Sequence, residues 1–294
     1  MGVEKLRRFG NLIATMLMRW RLLLHLAAAS VFAQSFAVTP QKISQGEVLR
    51  IEGEGAETAR MNGRTIRLFP QPGARPLGLM PVPVITKPGV YQLELLDQQE
   101  TVLQSFSITV LNAHYAKENI LMGRSVAALK PSPGEQETVT AFQNEVLPER
   151  YWNDHIQLPI PGCVTSPFGV RRFRNGKPTG NFHAGLDQRG AVGTPIQAVA
   201  GGVVKIARDF NLHGGTIAID HGQGLQSIYL HMSKLAAREG DSVKAGDIIG
   251  YVGSTGRATG PHLHWAIYVN GVAVNPRQWV NLPPPCGNSR YKGQ

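Results

Sequence analysis

The sequence predicts an all-β protein. Three features carry that prediction: short runs rich in Val, Ile and Leu, their interruption by 33 glycines and 20 prolines, and period-two alternation inside the runs. At 294 residues the chain has room for two ordinary domains. An apolar fraction of 42% with 17% charged residues implies neither a disordered chain nor an integral membrane bundle.

Residues 1–33 read as a signal peptide. Lys5, Arg7, Arg8, Arg19 and Arg21 precede the apolar stretch 22–32, and Val31-Phe32-Ala33 suits cleavage after Ala33. An uncleaved anchor is the alternative, but the stretch is short for the ~20 residues of a membrane span. No cysteine closely follows it, so a lipoprotein anchor is not expected.

Residues 34–112 read as a small antiparallel β-sandwich. Alternation is visible in runs 47–51, 64–68, 91–95 and 105–110, and Asn62-Gly63 is a hairpin-type turn signal. No catalytic cluster falls here, so an accessory or spacer domain is expected. Residues 113–157 change character and read as a linker with a short helix. Ser132-Pro133 precedes Glu135, Glu137, Val139, Phe142 and Val146, which places acids in a first helical turn. His114 and His155 lack partners at ligand spacing and read as surface or structural residues.

Residues 158–282 return to strands and glycines. Residues 193–204 read as strand, bend, strand, while 215–222 and 225–229 read as a hairpin pair. Residues 239–250 give two turns and a strand. Gly201-Gly202 marks a bulge or a close backbone approach. Residues 283–294 form a C-terminal tail.

Cys163 and Cys286 bracket this last region. In an oxidising compartment they would close a loop with a sequence separation of 123, worth roughly 4–5 kcal/mol by loop entropy. A disulfide is therefore favoured over two buried thiols. Net charge is +10, of which residues 1–33 hold five Lys/Arg against Glu4, leaving about +6 for the rest. That bias suits an anionic polymer. No basic run or nucleic-acid motif accompanies it, so nucleic acid is not an expected partner.

The chemistry concentrates in five groups: His183, Asp187, His231, His262 and His264. Together they read as a mononuclear zinc site, because zinc takes imidazole nitrogen and carboxylate oxygen and a catalytic site keeps one position open. His183 and Asp187, four apart, would share a face of an extended strand, and so would His262 and His264, two apart. Five groups exceed what one tetrahedral ion needs, so three ligands plus two proton-handling imidazoles is the natural division. No His-Glu-x-x-His helix is present, so histidine, with a reference pKa near ~6.5, would replace a carboxylate base. Asp220 and His221 sit in a turn after a strand and read as structural.

Residues of about 158–280 resemble the lysostaphin/LytM-type zinc endopeptidases of bacterial cell walls. The motifs that carry the resemblance are Thr165-Ser166-Pro167-Phe168-Gly169, His183-Ala184-Gly185-Leu186-Asp187 and Gly193-Thr194-Pro195. Ile219-Asp220-His221-Gly222, Tyr229-Leu230-His231-Met232-Ser233 and Gly260-Pro261-His262-Leu263-His264 complete the set. The resemblance implies a lysostaphin-like antiparallel β catalytic domain that binds one zinc ion (Zn2+) per chain. It makes His183, Asp187 and His264 the metal ligands and His231 and His262 the catalytic histidines. It further implies peptidoglycan as substrate, in the periplasm, the cell envelope or outside the cell.

One departure stands out. Some relatives place a tyrosine shortly before the first ligand to stabilise the oxyanion, and residues 177–182 contain none. Arg171, Arg172 or Asn181 could substitute. Relatives that lack ligands act as scaffolds for other wall hydrolases, whereas this chain keeps all five groups. A biotinyl- or lipoyl-type carrier is a third class suggested by residues 239–247, but no modifiable-lysine motif accompanies them. A D,D-type crosslink is preferred to a glycine bridge as the bond cut.

Overall fold

Alternation dictates the first domain. In the computed structural model, which describes residues 36–154 and 156–287, nine strands form two stacked sheets. One sheet orders β1 (Phe36–Thr39), β3 (Val48–Gly53), β7 (Ala74–Pro81) and β6 (Phe69–Gln71). The other orders β2 (Lys42–Ser44), β9 (Val102–Leu111), β8 (Gly89–Leu96), β4 (Thr58–Met61) and β5 (Arg64–Arg67). Asn62 and Gly63, both at positive φ, make the hairpin between β4 and β5. The sandwich departs from the antiparallel expectation at one pair, since β2 runs parallel to β9. The export signal expected in residues 1–33, and His155, lie outside the described residues. No helix among the described residues is long and apolar enough to cross a membrane.

Two strands of the sandwich are buried on both faces. Leu49, Ile51 and Met80 enter the sandwich core, while their neighbours Val48, Leu77 and Leu79 join the core of the second domain. Val48 and Gln278 exchange two hydrogen bonds of 2.7 Å across this contact, and Asn270 Nδ2 donates to the Leu79 carbonyl at 2.7 Å. The first domain is therefore docked through apolar burial with its polar groups satisfied.

The second domain is built on one long sheet. Its order is β11 (Val164–Ser166), β14 (Leu186–Arg189), β22 (His262–Val269), β18 (Leu225–Met232), β17 (Gly214–Gly222), β16 (Gly202–Phe210) and β20 (Ser242–Val243), with β23 (Val272–Val274) beside β22. Two small sheets flank it: β15 (Pro195–Gln197) with β21 (Ile248–Tyr251) and β19 (Lys234–Leu235), and β10 (Lys117–Ile120) with β12 (Arg171–Arg174) and β13 (Lys177–Phe182). Every residue of β17 and β18 is buried. One face of these strands supplies Ile217, Ile219 and Tyr229 to the main core. The other face supplies Ala218, Ile228 and Leu230 to a second cluster with Val139 and Phe142 of the helix Glu135–Asn144. That helix thus roofs the sheet.

Its first turn explains why it starts there. The Glu135 carboxylate accepts from the backbone N–H groups of Ser132 (2.7 Å) and His213 (2.9 Å) and lies 2.5 Å from His213 Nδ1. The side chain tethers the helix start to the loop after β16. Gly202 is needed for a close approach, because a Cβ there would stand 2.5 Å from the Asp220 carbonyl oxygen. Cys163 and Cys286 are joined in a disulfide with Cα atoms 5.1 Å apart, anchoring the C-terminal segment beside β11.

Candidate metal centre

Strand register brings the site together. On β22 the odd positions Leu263, Trp265, Ile267 and Val269 fill the main core, so His262, His264, Ala266 and Tyr268 occupy the opposite face. Asp187 of β14 is paired directly with His264. On the core side, Gln188 accepts from Trp265 Nε1 at 2.7 Å and donates to the Ile160 and Gly162 carbonyls. These bonds fix both strands and leave Asp187 and His264 facing away from the dry core.

His183 arrives by a different route from the one expected. A continuous strand would separate positions four apart by roughly 13 Å, too far to share one ion. Instead β13 ends at Phe182 and the chain bends before β14 begins at Leu186. Gly185 permits the bend, since a Cβ there would meet the Trp265 carbonyl oxygen at 2.4 Å. His183 Nε2 then lies 3.1 Å from Asp187 Oδ1 and 3.0 Å from His264 Nδ1, and the last two are 2.8 Å apart. Three donor atoms thus converge in a tripod, and these residues form the group able to hold a metal ion among the described residues.

His231 also breaks the pattern of its strand. Leu230 pairs with His264, so simple alternation would send His231 into the core beside Tyr229. His231 instead has a φ of 63°, in the left-handed region sparsely used by non-glycine residues. Its ring centroid ends 5.0 Å from that of His262 and 6.2 Å from that of His264. His231 Nδ1 donates to the Thr255 carbonyl at 2.9 Å, and His262 Nδ1 donates to the Gly260 carbonyl at 2.8 Å. An imidazole held this way carries its lone pair on Nε2 when it is neutral. His262 Nε2 is 3.9 Å from Asp187 Oδ1.

Electrostatics favour the neutral form of His231. Burial, joined by the charges of His262 and His264, pushes the His231 pKa down to about 3. Burial pushes His264 down to about 4 despite its bond to Asp187. Burial opposes ionisation of Asp187, but the charges of His183 and Arg172 and the hydrogen bonds from His183 and His264 outweigh it and hold the carboxyl well below its usual range. At neutral pH the tripod holds one carboxylate, with His231 and His264 neutral.

Behind the tripod lies a network that sequence reasoning missed. Arg172 Nη2 donates to Asp187 Oδ2 at 3.0 Å, and its Nε is 3.4 Å from Glu118 Oε2. The same Glu118 oxygen accepts from Ser166 Oγ at 2.8 Å, and Ser166 Oγ is 3.2 Å from His183 Nδ1. Arg172 is thus engaged with a tripod carboxylate instead of standing free for an oxyanion. Arg171 lies over the Phe182 ring, and Asn181 lines the groove with no side-chain hydrogen bond among the described residues. Glu118 sits on β10, inside the stretch that reads as linker. No local signal marks it, because its place depends on a parallel pairing with β12 across more than fifty residues.

The tripod opens into a groove of about 570 Å³ that holds His183, His231 and His264. Arg174, Arg257 and Tyr268 line it as well, together with His213 from the loop fixed by Glu135. His114 is exposed and lines a separate cavity with Tyr115 and Phe168. Asp220 and His221 are also apart from the groove. His221 Nδ1 donates to the Gly201 carbonyl at 2.6 Å, and its Nε2 is 2.7 Å from Ser227 Oγ. Asp220 Oδ1 accepts from the Gly222 N–H, and burial raises its carboxyl to about 6.

His221 yields a pH prediction. Burial lowers its pKa to about 4, from 6.5 when exposed. Its neutral form is favoured by the fold, so its contribution is complete above pH 6.5 and is lost as pH falls toward 4. Over that window the stability of the protein should fall, with His221 contributing up to about 1.4 kcal/mol per pH unit. In His221→Gln, urea melts between pH 6.5 and 4 should show a shallower dependence. An unchanged slope would remove His221 as a source.

Part of the chain is similar to known proteins. Residues 181–276 match the model for Peptidase family M23. The chain is 41% identical over 122 residues to a DD-carboxypeptidase/endopeptidase of Neisseria meningitidis serogroup B, covering 42% of this chain and 28% of that protein. It is also 41% identical over 101 residues to a glycyl-glycine endopeptidase of Staphylococcus capitis, covering 34% and 28% respectively. A crystal structure from Pseudomonas aeruginosa, assigned to peptidase M23, superposes with a TM-score of 0.62 at 29% identity, covering 80% of this chain and 93% of that one. The matched segments span only 28% of these two curated relatives.

Proposed function

Given that the chain carries a Peptidase family M23 domain, we propose that it is an exported zinc endopeptidase that hydrolyses peptide bonds of peptidoglycan stem peptides or crosslinks. The observation that carries this reading is the tripod of His183 Nε2, Asp187 Oδ1 and His264 Nδ1, with donor separations of 2.8–3.1 Å. Zinc bonds of ~2.0–2.1 Å to nitrogen or oxygen set tetrahedral ligand atoms about 3.3 Å apart. Three donors of the right chemistry thus stand close to the spacing one small ion requires.

His183, Asp187 and His264 hold the metal in this reading. When bound, zinc supplies Lewis acidity, acidifying water toward neutral pH and stabilising charge that develops on a carbonyl oxygen. The protein does the rest. His262 Nε2 and His231 Nε2 accept the proton of the attacking water and return one to the leaving amine. Their Nδ1 bonds to backbone carbonyls hold each ring in the tautomer that this task needs. Arg172 and Glu118 orient Asp187, and Ser166 touches the His183 ring. The groove receives the extended peptide.

Residues 34–112 serve as an accessory domain, 113–157 as a linker and 158–282 as the peptidase domain, with β10 of the linker completing a peptidase sheet. The site of action is the cell envelope or beyond it. The two relatives have equal identity to this chain but are named for different bonds. Overall identity therefore leaves the bond open, and the preference stays with a D,D-type crosslink. Mass spectrometry of peptidoglycan fragments from walls with and without glycine bridges tests it: release from the glycine-bridged wall alone would reverse the preference.

The orienting network gives a second test. Glu118→Gln should weaken zinc binding by about 10- to 100-fold while leaving the fold intact. Competition with a chromogenic chelator measures this, and wild-type affinity would show that Glu118 does not support the tripod.

A further inference from the structure

Three arginines line the groove beside the tripod: Arg172, Arg174 and Arg257. Arg172 is committed to Asp187 and Glu118. The other two are not committed to anything. Among the described residues neither Arg174 nor Arg257 makes an ion pair or a side-chain hydrogen bond, although both are half-buried. Arg174 Nε is fully enclosed and has no partner. A desolvated donor of that kind is costly unless something binds it.

The nearby acids are already occupied. Glu118 binds Ser166 and Arg172, Asp187 belongs to the tripod, and Glu135 is held by His213 and the Leu212 N–H. Arg174 and Arg257 are close enough to repel one another, and this repulsion adds to burial in lowering the Arg257 pKa. Strand geometry keeps Arg174 at this wall, because it stands two positions after Arg172 on β12 and shares its face. Arg257 is fixed at its backbone, whose N–H donates to the Leu212 carbonyl at 2.9 Å. Two cationic forks therefore face one groove, and the acid whose charge reaches Arg257, Glu135, already accepts from His213 and the Leu212 N–H.

We propose that Arg174 and Arg257 form a subsite for a free carboxylate of the peptide substrate, placed beside the metal tripod. This inference rests on the peptidase reading above for the identity of the ligand as an acidic peptide. Guanidinium groups match carboxylates in a planar, two-bond geometry, and the half-buried setting strengthens that contact. Stem peptides offer such a group at the chain end and on their acidic residues. The subsite sets which peptide enters the groove and in which register, by relieving the repulsion between the two arginines.

Binding measured apart from turnover tests the subsite. Zinc-loaded His262→Ala protein is titrated calorimetrically with synthetic acidic tetrapeptides in four forms: both carboxyls free, the terminal one amidated, the side-chain one amidated, or both amidated. The free form should bind about 10- to 100-fold more tightly than the doubly amidated one. The single amides identify which carboxyl is held. Adding Arg174→Gln or Arg257→Gln should abolish most of that preference, whereas Arg257→Lys should keep part of it. Zinc content and melting temperature verify that each variant is folded. Equal affinity for the free and doubly amidated peptides would overturn the subsite, as would a preference that survives Arg174→Gln/Arg257→Gln. Failure of the peptidase reading would look different: wild-type protein would cut no peptide in any form.

Discussion

His262→Ala is expected to keep zinc and lose turnover. The ring stands outside the tripod, with Nε2 3.9 Å from Asp187 Oδ1 and Nδ1 tied to the Gly260 carbonyl. Its removal leaves all three donor atoms in place. On the proposed mechanism, what disappears is a base next to the attacking water, a loss worth about 10²- to 10⁴-fold in kcat. Elemental analysis should return one zinc per chain, while fragments released from purified peptidoglycan fall in proportion to kcat. Turnover near that of wild type would remove His262 from proton transfer. His231 is a less clean target, because its left-handed backbone and burial make alanine there a structural change as well. Asparagine, which tolerates that conformation better, is the variant to compare.

Much of this was legible in the sequence, and the remainder has identifiable causes. Period-two spacing correctly placed His262 and His264 on one face of a strand, because β22 is regular throughout. The same rule failed for His183 and Asp187. There the chain bends between the two residues, and Gly185 is the local sign of it. It would also have misdirected His231, whose backbone leaves the strand conformation at that residue. Asn62-Gly63 and the first-turn acids of the Glu135–Asn144 helix are local codes, and both appear where they were expected. Glu118 carries no local code. It reaches Ser166 and Arg172 only through tertiary pairing of β10 with β12, which periodicity does not encode. Arg172, a candidate oxyanion donor by sequence, is instead paired with Asp187.

Asp187→Ala should abolish zinc binding and weaken the metal-free fold at the same time. Asp187 supplies the only carboxylate of the tripod, and its other oxygen accepts from Arg172. Alanine would leave a dication facing Arg172 with two neutral imidazoles as its only ligands. Affinity should fall well beyond the 10- to 100-fold typical of losing a supporting residue. Without metal, the loss still leaves Arg172 half-buried with only Glu118, at 3.4 Å, to balance it. Breaking a buried pair by removing one partner costs about 3–5 kcal/mol; partial exposure at this site places the expected loss at the lower end of that range. The two effects separate in a double variant. Asp187→Ala/Arg172→Met should recover part of the stability, because the half-buried guanidinium is gone while Glu118 keeps Ser166 Oγ as a donor, and none of the zinc affinity. Urea melts of the metal-free proteins give the coupling energy of the pair, and chelator competition reports the metal. Wild-type zinc affinity in Asp187→Ala would break the tripod assignment. Recovery of zinc binding in the double variant would instead show that repulsion from Arg172, and not the lost ligand, had expelled the ion.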